Sequence, residues 1–317
     1  MKTRLLIFMA LLVVAGTLPA QADYPTRPIE LIAPYPAGGP ADVLARILAQ
    51  AAGPHLGQSV VVVNKPGGGG TVGTAFVARA KADGYTVLVA GIPPTVIQPH
   101  LVKVPYTPQD FVPVAQLSSR TLVLSVKVSA PFKKLSDLLD QARREPGKLV
   151  YTTTQGTVPH LVGANLFKRA GVQLTLLPQA GDAPSLTTVL GGNADVVISS
   201  RVSALPHVQA GTLRPLLVFN EARDPFLSDV PTARESGFDV VGNPWTGIAL
   251  AKGTPEAIVK QWEDLLAKLA RDPAFIEALK KVGEDVVYLG RAEFGKRWFG
   301  EPEVYGRIVR ELGLKPQ

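Results

Sequence analysis

Residues 29–52, IELIAPYPAGGPADVLARILAQAA, decide the fold class. Ile29–Ala33 is a short apolar run suited to a strand, and Ala41–Ala52 carries Val43, Leu44, Ile47, Leu48 and Ala51 on one helical face. Between them lies a loop of prolines and glycines, Pro34 to Pro40. The pattern then repeats: a strand at Val60–Val63, a helix beginning near Val72, a strand at Thr86–Ala90. This alternation predicts an α/β fold, a parallel sheet covered by helices on both faces.

A second series follows. Strands are expected at Leu122–Val126, Leu149–Thr153, Leu174–Leu177, Val196–Ile198, Leu216–Phe219 and Gly247–Ala251. Helices are expected at Ser136–Arg144, His160–Ala170, Glu256–Ala270, Pro273–Val282 and Glu301–Leu312. At 317 residues, the length suits about two domains. Two α/β lobes with short connections fit, and ligands of such sheets lie outside the carboxyl ends of the strands.

Composition narrows the function. With 46% hydrophobic and 19% charged residues the chain is globular rather than disordered. Its formal charge of +7 falls to +5 without Lys2 and Arg4, and no basic run exists, which argues against nucleic acid as a partner. Cysteine is absent, so disulfides, thiolate metal sites and cysteine nucleophiles are excluded. Met1–Ala22 reads as a secretory signal: Lys2 and Arg4, the apolar stretch Leu5–Val14, then Ala20-Gln21-Ala22. Cleavage is expected after Ala22, giving a periplasmic protein that does not span the membrane. The competing membrane-anchor reading is disfavoured because the apolar stretch is short against about 30 Å of hydrocarbon.

Gly68-Gly69-Gly70-Thr71-Val72-Gly73 matches G-x-G-x-x-G, but no Asp or Glu lies between Tyr85 and Gln109 to hold a ribose. A structural glycine turn is therefore expected, with no cofactor. The four histidines are scattered, H-E-x-x-H and G-x-S-x-G are missing, and catalysis is unsupported. No metal site is expected either.

Two loops remain. In Pro34–Asp42 the glycines Gly38 and Gly39 admit a ligand to the helix amides, whose dipole end suits a carboxylate. Asp42 is expected to serve first-turn amides. Tyr151–His160, YTTTQGTVPH, leaves a strand and enters a helix in the same way, with threonine hydroxyls as further donors. A bare turn in the first and a capped loop in the second are the competing readings. The occurrence of one such loop in each lobe favours a binding site.

These loops resemble those of the tripartite tricarboxylate transporter substrate-binding proteins, the Bug family. Further landmarks of that resemblance are Tyr24–Ile29, Asn64-Lys65-Pro66-Gly67, Asp83–Thr86, Gly191-Gly192 with Asp195, Ser203–His207, Asp229–Thr232 and Lys252–Pro255. The resemblance implies a two-lobed periplasmic binding protein, a Venus flytrap of type II-like form. Two crossover strands are expected near Thr121–Val126 and Trp245–Ala249. Lobe 1 would be 23–121 joined to 244–317, and lobe 2 would be 122–243. The implied binding set is Tyr35, Pro36, Ala37, Gly38, Gly39 and Asp42 from the first loop, and Thr153, Thr154, Gly156, Thr157 and His160 from the second. Gly181, Ser199 and Arg201 complete it, Arg201 as a bidentate carboxylate contact or else a solvated surface residue.

Some positions depart from the family pattern: Thr154-Gln155, Gln179–Asp182 and Ser199-Ser200-Arg201 stand where other residues are usual. The implied function is capture of a small organic ligand, a carboxylate, by a monomer for delivery to membrane permease subunits. A secreted hydrolase-like enzyme with a cleft Ser/His/Asp set, or a ligand sensor for a signalling partner, are the alternatives.

Overall fold

The computed structural model describes residues 24–282 and 284–314. The expected export segment 1–22 and its expected cleavage point lie outside them. Strands β1 (Ile29–Ala33), β2 (Val60–Asn64) and β3 (Thr86–Gly91) are parallel, with Leu31 opposite both Val62 and Val87. Helix α1 (Pro40–Leu56) connects the first two and α2 (Thr71–Ala78) precedes the third. The buried stripe of α1 is Leu44, Ala45, Leu48, Ala52 and Leu56, turned slightly from the expected face, so that Val43, Ile47 and Ala51 are only half-buried. After β3 the chain makes a π turn, Pro93–Ile97, and the short helix α3 (Gln98–Leu101) before β4 (Phe111–Ser119).

A second sheet is built from β5 (Leu122–Lys127), β6 (Val150–Thr153), β7 (Thr175–Pro178), β8 (Val196–Ser200) and β9 (Leu213–Val218), in the order β7-β6-β8-β5-β9. Its helices are α4 (Leu135–Arg144), α5 (Val158–Arg169), α6 (Asp182–Leu190) and α7 (Arg201–Gln209). The chain then returns to the first sheet through β10 (Trp245–Ala251), α8 (Glu256–Leu269), α9 (Pro273–Lys281), β11 (Asp285–Leu289) and α10 (Arg291–Glu311). That sheet runs β11-β4-β10-β3-β1-β2. The aromatic rings of Trp245, Phe294 and Trp298 pack edge-on or tilted, centroids 5.0–5.9 Å apart, and fasten α10 to β10. No helix among the described residues is long and apolar enough to cross a membrane.

The chain passes between sheets at Arg120-Thr121 and again just before Trp245, at the heads of the stretches where the resemblance implies the crossings. The two passages are tied together, Arg120 N donating to Pro244 O at 2.8 Å. Their position orients both sheets. β4 is antiparallel to β10, and β10 is antiparallel to β3, so Ser119 at the first crossing lies on the same sheet edge as the carboxyl ends of β1–β3. In the second sheet Leu122 pairs with Ser200, the carboxyl end of β8. The loops after β1–β3 and after β6–β8 therefore open onto one gap between the sheets.

Sequence patterning missed β4, β11, α6 and α7, and began α10 ten residues late. β4 contains Pro113, which cannot donate to the ladder, and its register against β10 shifts where Pro113 faces Ala249. Proline within α6 and α7, and Gly295, Gly300 and Pro302 within α10, broke the helical signal.

Candidate functional site

In the first loop, Gly38 takes φ +82°, and its N–H donates to Asp42 Oδ2 at 2.9 Å. Gly39 is the N-cap of α1, in extended conformation, with no side chain capping the helix. Proline at the next position removes one amide, and those of Ala41 and Asp42 remain at the open end of the dipole. Pro36, Ala37 and Gly38 are exposed around them.

The Asp42 carboxylate is committed to partners within the protein. It is only 1% exposed, and it accepts from Arg46 Nε (2.9 Å), Arg46 Nη2 (3.0 Å), Asn64 Nδ2 (2.8 Å) and Gly38 N. Arg46, chiefly, with Gly38 N–H and Asn64, outweighs burial and holds the carboxyl at about 2. A depressed folded-state value stabilises the protein above the ordinary carboxylate range, and the gain is lost as pH falls through about 2. Asp42→Asn is therefore expected to cost about 2 kcal/mol at pH 7. The deficit should shrink in denaturant titrations as pH is lowered below about 4. Asn64 also donates to Tyr35 O at 3.1 Å, so the end of β2 braces the loop. The Tyr35 ring lies under the glycine run, since a Cβ on Gly70 would stand 3.2 Å from its Cζ. Burial pushes the Tyr35 hydroxyl far up, against a smaller opposing effect of Arg120.

The glycine run is the structural turn expected of it. Gly67–Gly70 all have positive φ, and a Cβ on Gly73 would press to 2.8 Å from Lys65 O and 2.9 Å from Pro34 Cα.

In the second loop Gly156 takes φ +73°, and its N–H donates to His160 Nδ1 at 3.2 Å. That bond makes Nδ1 an acceptor, which assigns the proton to Nε2, and burial lowers the pKa of the ring, so the imidazole is neutral. Thr157 is the N-cap of α5, again without a side-chain cap; its hydroxyl donates to Thr154 O at 2.6 Å. Thr153 is a correction to the expected donor set: fully buried, it donates to Ile198 O at 2.9 Å and locks β6 to β8. With the Thr153 and Thr157 hydroxyls bonded inside the protein, the amides at the start of α5 are the donors this loop presents beside the half-buried Thr154.

Gly181 (φ +142°) is the uncapped N-cap of α6, and Asp182 beside it accepts from Ser200 N at 2.9 Å, drawing the starts of α6 and α7 together. Ser199 is a second correction. It is fully buried, in the sheet opposite Val123, and does not reach the gap. Arg201 is not the solvated alternative, and its guanidinium is already committed to carboxylates of this chain. It is 5% exposed, its Nε lies 3.0 Å from Asp224 Oδ2, its Nη2 bonds Asp285, and its guanidinium sits 4.3 Å over the Phe226 ring. Sequence reasoning found neither carboxylate, which lie 23 and 84 residues away. The Asp42–Arg46 pair, at i,i+4 spacing, was open to it.

The arrangement is a gap bordered by uncapped helix starts from both sheets, with the nearby arginines Arg46, Arg120 and Arg201 already paired to Asp42, Glu284 and the two aspartates. Such a gap binds an anion through amides and dipoles rather than ion pairs.

Comparison with known proteins agrees. The model of the tripartite tricarboxylate transporter family receptor matches residues 44–314. Protein BugT of Bordetella pertussis is 31% identical over 321 residues, covering 99% of this chain and 98% of its own. A TctC solute binding protein from Polaromonas superposes with TM-score 0.82 at 33% identity, over 91% of this chain and 99% of its own. An R. palustris protein solved with adipate gives TM-score 0.80 at 29% identity, over 93% of this chain and 100% of its own. The chain belongs to the tripartite tricarboxylate transporter receptor family, and is a periplasmic solute-binding receptor rather than an enzyme.

Proposed function

We propose that the protein captures a small dicarboxylate between two lobes, 23–121 with 244–317 and 122–243, and hands it to the permease subunits of a tripartite transporter. The observation that carries this reading is the pairing of the uncapped starts of α1 and α5 across one gap. Amides there are fixed in place before the ligand arrives, so little ordering entropy opposes binding. The relative solved with adipate supports a dicarboxylate as the class. The binding set reduces to the backbone of Pro36–Asp42, with the open amides of Ala41 and Asp42, of Thr154–His160 and of Gly181, with the Tyr35 and His160 side chains supporting. The mature protein begins at Asp23, after export and cleavage, and acts as a monomer.

Thermal unfolding against a panel of C4–C6 dicarboxylates and their diamides tests this. A ligand bound only by the native state at a hundredfold excess over Kd adds about 2.7 kcal/mol. At least one diacid should raise Tm by several degrees while its diamide does nothing. A panel in which no acid moves Tm, or in which the acid is consumed, contradicts the proposal.

A further inference from the structure

Arg201 and Asp285 belong to different sheets: Arg201 opens α7 at the end of β8, and Asp285 opens β11. Their ion pair therefore spans the two bodies that the crossings join. Its side of the crossings follows from strand order. In the first sheet β3, β1 and β2, whose loops border the gap, lie on one side of β10 and β4, and β11 lies on the other. In the second sheet β6 and β7 lie on the front side of β5, and β9 on the other. Arg201 reaches towards that other side, where Asp224 and Phe226 follow β9.

Between these groups is a cavity of about 260 Å³, with Asn220, Asp224 and Phe226 on the second-sheet side and Asp285 and Val287 on the first. Arg297 Nη2, donating to Asn243 O at 2.8 Å, and Lys168 Nζ, bonded to Glu311 O, also join the two bodies, and among the described residues Arg201–Asp285 is the ion pair between them. Among the described residues no hydrogen bond joins the loops after β1–β3 to those after β6–β8. These loops are thus unfastened from one another, while the ion pair fastens the opposite side.

We propose that the Arg201–Asp285 pair is a latch behind the hinge that favours the open form and so sets how readily ligand closes the gap. This rests on the two-lobe receptor reading above. Rotation about the crossings that brings the front loops together draws the back apart, and the pair is lost. A contact made in one state only shifts the balance between states, and apparent affinity follows the fraction of protein able to close. Arg201 is already paired with Asp224, which is buried and also accepts from Thr121 Oγ1 at 2.6 Å, so losing Asp285 does not strand the guanidinium.

The test uses the absence of cysteine. Phe76→Cys on α2 and Thr187→Cys on α6, both exposed, carry spin labels on opposite bodies in front of the hinge. Distance distributions are recorded for Asp285 and for Asp285→Asn through an adipate titration. Asp285→Asn is expected to raise the closed-to-open ratio about fivefold, with the titration midpoint lowered by up to the same factor. Asp285→Glu should restore the original behaviour. Identical distributions for Asp285 and Asp285→Asn at every adipate concentration, or a shift towards longer distances, overturn the latch. If adipate shortens the parent distance and Asp285→Asn changes nothing, the latch fails and the receptor reading stands. If Asp285→Asn shortens the distance and adipate never does, the latch stands and the adipate-like ligand fails.

Discussion

Gly39→Val is expected to abolish ligand binding while leaving the protein folded. Gly39 sits in extended backbone at φ −77°, where valine is at ease, and a Cβ there meets only Pro36 O at 3.4 Å. The stability cost should stay near 0.5 kcal/mol or less. The added methyls, however, stand over the open amides of α1. Losing two charge-assisted hydrogen bonds, at about 1.5–3 kcal/mol each, weakens binding by about a hundredfold or more. Gly38→Val is the contrast: at φ +82° it strains the backbone, so it should lower Tm as well as affinity. Calorimetry with the best acid of the panel, beside denaturant melts, reads both effects. Unchanged affinity in a folded Gly39→Val protein would show that Pro34–Asp42 is only a turn.

Arg201→Met should behave in the opposite way, as a stability variant. It keeps the unbranched stem of the side chain but removes the guanidinium, and leaves Asp224, 2% exposed, as a buried carboxylate without its cation. Removing one partner of a buried pair costs about 3–5 kcal/mol. Asp224 keeps hydrogen bonds from Thr121 Oγ1 and Phe226 N, which places the expectation near the lower end, about 3 kcal/mol. Urea unfolding measures it. A variant of wild-type stability whose only defect is lost carboxylate binding would restore Arg201 as a ligand contact.

These two sites mark where sequence reading succeeds and where it stops. The βα alternation of lobe 1 and the glycine entries to α1 and α5 are local patterns, and the structure has them where the residues place them. Asp42 illustrates the middle ground: its partner Arg46 is one helical turn away and legible, whereas Asn64 arrives from a neighbouring strand and is not. Thr153 enters the expected binding set as a hydroxyl of the second loop, and Ser199 and Arg201 enter it through the family resemblance. Their side chains instead face Ile198 O, the sheet interior and two distant aspartates. Alternation along a strand fixes which residues share a face, but not which face meets the gap, because that depends on crossings set by β4 and β10. β4 itself, with Pro113 and several polar residues, carries too weak an apolar signal to be read as a central strand.

The central claim is that one small diacid is held by both lobes at once. Small-angle scattering of the mature protein, with and without a saturating dicarboxylate, tests it most directly, since a ligand touching both sets of helix starts must draw the lobes together. The account predicts a smaller radius of gyration with the diacid, and no change with the matched diamide or in Gly39→Val. Tight binding of the diacid with an unaltered radius of gyration would contradict it.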